Sequence, residues 1–129
     1  MLFNFHSYSS FTLALLFLFG MGKILFAQQA FSIEGTIKGM EEGQLFIYYG
    51  NKGMDSTGVK NGQFVFKGYI NGPTNASILK SKDWRDQANV ARYFIEPGEM
   101  TLELEVNKFA DSRLRGSQTQ EEAQQLDKL

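Results

Sequence analysis

Asn61-Gly62 is the tightest constraint in this chain. Both residue types accept positive φ at little cost, and a two-residue turn of type I′ demands positive φ at both positions. After the turn, Phe64, Phe66, Gly68 and Ile70 fall on one side of a strand, with Gln63, Lys67 and Tyr69 on the other. A period of two with one apolar side marks a half-buried antiparallel strand. Met54 to Ile70 is therefore expected to form a β-hairpin, with the remaining chain laid out around it as further short strands.

The flanking sequence agrees with an all-β reading. Phe31, Ile33, Gly35 and Ile37 alternate with Ser32, Glu34, Thr36 and Lys38, a strand with one buried face. Leu45 to Tyr49 is apolar on both sides, which predicts a central strand covered on both faces. Asn71-Gly72-Pro73-Thr74 closes the hairpin, because Pro cannot donate to a continuing ladder. Ala76 to Ser81 and Val90 to Glu96 read as strands on either side of a polar loop, Lys82 to Asn89. Glu96-Pro97-Gly98-Glu99 has the form of a type II turn. Met100, Leu102, Leu104 and Val106 alternate with acidic and polar residues, and Asp111 to Arg115 reads as a last strand. Thr119 and Glu122 match a capping box ahead of a short helical stretch that runs to Leu129. About seven or eight short strands point to an antiparallel β-sandwich or open barrel, with an N-terminal signal helix and a short C-terminal helix.

Composition narrows the function classes. With 129 residues, 43% of them hydrophobic and twelve Phe, the chain suits one domain with a packed core. The net charge is −1 and no basic stripe exists to neutralise a phosphate backbone, which argues against nucleic-acid binding. Cysteine is absent, which removes disulfides, thiol nucleophiles and redox pairs of cysteines. His6 is the single histidine.

Residues 1–27 read as a secretory signal, expected to place the protein in the periplasm or cell envelope. Phe11 to Phe19 is a compact apolar run, shorter than the ~20 residues of a bilayer-spanning helix. Ala27 supplies a small residue before a cut ahead of Gln28. The competing reading is an uncleaved anchor extending through Phe26. Cleavage removes His6 and Lys23, leaving a charge of 12 − 14 = −2 and no stable membrane span. The expected layout is a signal at 1–27, a β-domain at 28–117 and the start of a helical connector at 118–129. Without His or Cys, the mature chain lacks the commonest general base and transition-metal ligands, so no enzyme activity, cofactor or metal is expected.

Each candidate site has a structural alternative. Asp83, Trp84, Arg85 and Asp86 form a ligand-contact patch if Trp84 is exposed, or a loop whose Trp folds back over the core edge. Tyr48, Tyr49 and Tyr69 form an aromatic binding face if exposed, or pack into the sheet. Glu99, Glu103 and Glu105 share one strand face, which spreads their oxygens apart where calcium needs them converging. Asp55-Ser56 has no evident base beside it and suits a turn or a sheet edge. A hydrolase using paired carboxylates requires two acids that converge and are tuned apart.

Four phrases in order carry a resemblance: Phe31 to Ile37; Asp55-Ser56 with Val59 to Gly68; Tyr93 to Gly98; and Leu114 to Ser117 followed by a helix. Together they resemble the uncharacterised β-domain that precedes the thioredoxin-like domain in envelope thiol–disulfide oxidoreductases of Gram-negative bacteria. The resemblance implies an envelope location and an accessory role: contact with a protein or peptide partner, including a thioredoxin-like domain in cis or in trans. The redox cysteines of such proteins have no matching positions here. The alternative is a stand-alone secreted glycan- or peptide-binding module that uses Trp84 and its loop.

Overall fold

The computed structural model describes residues 27–126, so the apolar run at Phe11 to Phe19 lies outside the described residues, as do the last three positions. Eight strands follow one another: β1 (Gln29–Lys38), β2 (Glu42–Tyr49), β3 (Gly53–Lys60), β4 (Gln63–Ile70), β5 (Thr74–Leu79), β6 (Val90–Ile95), β7 (Gly98–Glu105) and β8 (Leu114–Arg115). A single helix, α1 (Gln118–Leu126), closes the described chain. The strands form one sheet in the order β6-β5-β2-β3-β4-β1-β7-β8, rolled into a nearly closed barrel. The open-barrel form of the sequence reading holds. One pair departs from an all-antiparallel sheet: β1 and β7 run parallel.

The turn at Asn61-Gly62 forms as its residues require, with φ of 54° and 70°. Alternation then sends Phe31, Ile33 and Ile37 of β1, Phe64, Phe66 and Ile70 of β4, and Met100, Leu102 and Leu104 of β7 into one core. Two glycines make that packing possible. Gly35 lies opposite Phe64, and Gly68 opposite Phe31, on the antiparallel strands β1 and β4. A Cβ on Gly35 would overlap the Phe64 ring and the Leu102 carbonyl; one on Gly68 would overlap the Phe31 ring and the Tyr49 hydroxyl. Each missing side chain thus leaves space for the aromatic ring across from it. Phe31 then meets Tyr49 of β2 edge-on at 5.1 Å, joining opposite walls of the barrel.

The sheet has two seams. At the first, β3 and β4 share the tight turn but only one ladder position, Lys60 with Gln63. Beyond it β3 pairs along its length with β2, and β4 with β1. The expected long hairpin therefore opens after its first rung, with β3 following β2 and β4 following β1 away from the turn. At the second seam, between β6 and β8, β8 is only two residues long and Phe109–Asp111 is a 3-10 turn. The strand expected from Asp111 to Arg115 shrinks accordingly.

Segment 116–120 seals this second seam with side chains. Ser117 Oγ donates to the Phe94 carbonyl at 2.7 Å, and the Phe94 N–H donates to Gln120 Oε1 at 2.7 Å. These groups stand where a neighbouring strand would otherwise pair with β6. The helix cap also lies two residues before the expected Thr119–Glu122 box. Ser117 Oγ accepts the Gln120 N–H at 3.2 Å and the Ser117 carbonyl accepts the Glu121 N–H at 3.0 Å, so Ser117 is the N-cap. The Thr119 N–H goes instead to Glu96 at 2.7 Å.

Candidate functional site

The loop between β5 and β6 folds back on the outside of the barrel. Phe46, Leu79 and Val90 form one cross-strand row, on the face opposite Ile47, Ile78 and Ala91. Leu79 and Val90 are buried yet stand apart from the inner core. Their cover is the 80–89 loop, whose base closes through the Lys80 N–H to the Asn89 carbonyl at 3.1 Å. Lys82 Nζ lies 5.7 Å from the centre of the Phe46 ring.

Hydrogen bonds inside the loop engage both candidate carboxylates. Asp83 Oδ1 accepts from the Arg85 backbone N–H and from Arg85 Nε, each at 3.0 Å. The Arg85 guanidinium holds the Asp83 carboxyl below its usual range. Asp86 Oδ2 accepts from Asn89 Nδ2 at 2.9 Å. Asn89, itself buried, also donates to Asn107 Oδ1 at 2.9 Å and accepts the Asn107 N–H at 2.6 Å. Asp83 and Asp86 therefore act first as builders of the loop, and Asn89 ties it to the chain after β7.

Trp84 lies at the loop's surface, 38% exposed, with its ring edge-on to Tyr48 at 5.9 Å. Tyr48 is 44% exposed, and its cross-strand neighbour Met54 is 37% exposed. The two readings of Trp84 merge: the indole leans on the barrel and still shows a face to water. Tyr48 comes from the expected aromatic face, whereas Met54 is a neighbour that the sequence reading missed. The apolar run at Leu45 to Tyr49 suggested a strand covered on both faces, but its outer face is only partly covered, by the loop. The three tyrosines separate, with Tyr49 buried in the core and Tyr48 and Tyr69 exposed on different strands.

The remaining candidates occupy other places. Glu99, Glu103 and Glu105 line the exposed side of β7. Ala27 and Gln28 are exposed just ahead of β1. Asp55 sits on β3, where its carboxylate accepts the Ser56 N–H at 2.8 Å, a sheet-edge role. A concavity of about 1010 Å³ opens on the far outer face, lined by Glu34, Thr57, Val65, Glu103 and Arg115 among others and by none of the 83–86 quartet. Glu34 and Glu103 are diagonal neighbours there on adjacent strands, Glu34 opposite Thr101 and Glu103 opposite Thr36. Both are exposed, unlike the general acid of a glycosidase, which sits in an apolar pocket.

Fold and surface together define a barrel-like β-domain closed by a C-terminal helical latch, with an aromatic patch on one wall. The chain belongs to the family described as Domain of unknown function (DUF4369), which matches residues 31–123. That match runs from β1 into α1 and so takes in both the barrel and the latch. No curated protein and no solved structure matches the chain.

Proposed function

We propose that this protein is a non-catalytic, exported envelope domain that contacts a protein or peptide partner, in an accessory role to a thioredoxin-like oxidoreductase domain. The observation that carries the reading is the exposed cluster of Trp84, Tyr48 and Met54 on the outer wall of β2 and β3. Aromatic residues and methionine are the side chains most enriched at the centres of protein interfaces. The resemblance of the ordered sequence phrases to the domain preceding thioredoxin-like modules supports the choice of partner. The glycan alternative is weaker, because Asp83 and Asp86, the polar groups that would orient a sugar, already bond within the loop.

Trp84 is the single tryptophan and so reports its own site. Titrating the purified chain with a thioredoxin-like domain is expected to give a saturable change in Trp84 emission, weakened by Tyr48→Ser. Insulin reduction by dithiothreitol is expected to match the blank without protein. A flat titration, or clear turnover of insulin, overturns the reading.

A further inference from the structure

We infer that the partner taken by the Trp84 patch is an acidic segment of another protein, with an apolar side chain flanked by carboxylates. The inference rests on the partner-binding reading above and deepens it by naming the chemistry that the patch selects.

Charge is unevenly divided along this chain. Lys80 to Arg92 carries Lys80, Lys82, Arg85 and Arg92 against Asp83 and Asp86, 4 − 2 = +2. The other described residues carry 7 basic and 11 acidic side chains, 7 − 11 = −4. The basic stretch is the loop that holds Trp84, together with the start of β6. Its two carboxylates are engaged within the loop, Asp83 by Arg85 and Asp86 by Asn89. The Arg85 side chain remains 93% exposed in that pair. This wall therefore presents positive charge to a partner, on a domain that is negative elsewhere.

Strand register carries the charge into the apolar patch. Tyr48 stands opposite Met54 on β3 and opposite Ser77 on β5, and Ser77 stands opposite Arg92 on β6. Four strands at a spacing of about 4.8 Å make this row about 14 Å long, with Met54 at one end and Arg92 at the other. Ser77 is its one short side chain. Phe94, two residues after Arg92 on the same face, is 37% exposed and extends the apolar surface. No carboxylate stands in the row. Asp55, next to Met54, alternates to the other side of β3 and accepts the Ser56 N–H, while Glu96 accepts the Thr119 N–H. Among the described residues, Arg92 has no ion-pair partner. An apolar side chain of the partner would settle over Ser77, between Tyr48 and Arg92, and set a carboxylate on the guanidinium in the planar geometry that arginine favours. A second copy of the chain matches less well. Its acidic strand face, with Glu99, Glu103 and Glu105 on β7, carries no large apolar residue to meet Tyr48 and Met54.

The test titrates the purified chain with two peptides, Glu-Glu-Leu-Leu-Glu-Glu and Lys-Lys-Leu-Leu-Lys-Lys, and reads Trp84 emission. A saturable change is expected with the acidic peptide only, weakening as salt is raised. Arg92→Glu puts a negative charge into the row at an exposed position and should weaken the acidic peptide by about tenfold or more. Arg115→Glu makes the same change of charge at an exposed position on the far outer face and should leave binding at the wild-type value. No response to the acidic peptide, an equal response to the basic one, or equal losses from the two variants overturns the inference. So does a concentration-dependent dimer in sedimentation that Arg92→Glu abolishes, which would assign the wall to a second copy. Binding to phosphatidylglycerol vesicles in place of the peptide overturns it too, and would assign the wall to a membrane. If the acidic peptide gives nothing while Trp84 still responds to the thioredoxin-like domain, only the partner's charge is wrong; silence in both experiments removes the partner-binding reading as well.

Discussion

The two seams of the barrel solve the same problem in opposite ways. Both leave strand edges with unpaired backbone groups, a standing hazard for a β-protein. At β6 the chain supplies its own substitute strand: Ser117 and Gln120 bond both backbone groups of Phe94, and Gln120 is 8% exposed. Tyr93 and Ser112 add a hydroxyl–hydroxyl hydrogen bond beside it. At β3 the edge is only partly covered, by Asp55 on one N–H and Thr57 on one carbonyl, and the residues around it are exposed. The first seam is built for stability. The second is left open.

If this contrast is right, substitutions at the sealed seam should cost far more than those at the open one. The largest effect is expected for Phe109→Ala, which empties a fully buried site in the 3-10 turn beside β6 and β7. A Phe-to-Ala cavity costs about 3–5 kcal/mol, and urea unfolding monitored by circular dichroism should show it as a lower midpoint. Next comes Gln120→Ala, which leaves the Phe94 N–H without its acceptor. About 1–3 kcal/mol is expected for that loss, with Ser117→Ala in the same range because it removes both the Phe94 carbonyl's donor and the helix cap.

The sealed seam should also have pH limits. Burial raises the Tyr93 hydroxyl to about 12, against the smaller opposing effect of its bond to Ser112. A phenol whose pKa is higher when folded contributes stability that is intact below pH 10 and falls as the pH rises from 10 toward 12. Glu96 works at the other end. Hydrogen bonding to Thr119 lowers its pKa from the ordinary glutamate value of 4.5. Its contribution is therefore intact above that value and fades as the pH drops through the folded pKa. Melting curves across pH should show Tyr93→Phe flattening the alkaline limb and Glu96→Gln flattening the acid one.

Much of the contrast was hidden in the sequence for physical reasons. The turn at Asn61-Gly62 and the alternation in β1, β4 and β7 are local, so they were legible from residue types alone. Which strand pairs with which is not local. The sequence from Met54 to Ile70 looks like one long hairpin, yet beyond the turn β3 folds back on β2, the strand before it, and β4 pairs with β1, far back in the chain. The cap was misplaced for a related reason. Ser117-Gln118-Thr119-Gln120 and Thr119-Gln120-Glu121-Glu122 are equally good boxes locally, and the choice falls to Phe94 on β6, which engages Ser117 and Gln120. At the candidate site, Trp84 was legible as the loop's one large aromatic residue. Tyr48 was legible only as one of three tyrosines of a candidate face, and Met54 not at all, because their exposure depends on how far the 80–89 loop reaches across the sheet.

The smallest expected effect is the sharpest test of the open seam. Thr57 makes the one side-chain bond bridging β3 and β4, at a half-exposed position where water can replace its hydroxyl. Thr57→Val keeps the β-branched shape and removes that bond, so stability should fall by less than about 1 kcal/mol. The Val65 carbonyl is then free, and native-state hydrogen exchange at Lys60 and Gln63, the one rung beside it, should speed up while exchange at Phe94 stays slow. A loss comparable to Gln120→Ala would mean that the β3–β4 seam bears as much of the fold's stability as the sealed one. The opening would then be a closed corner of the barrel.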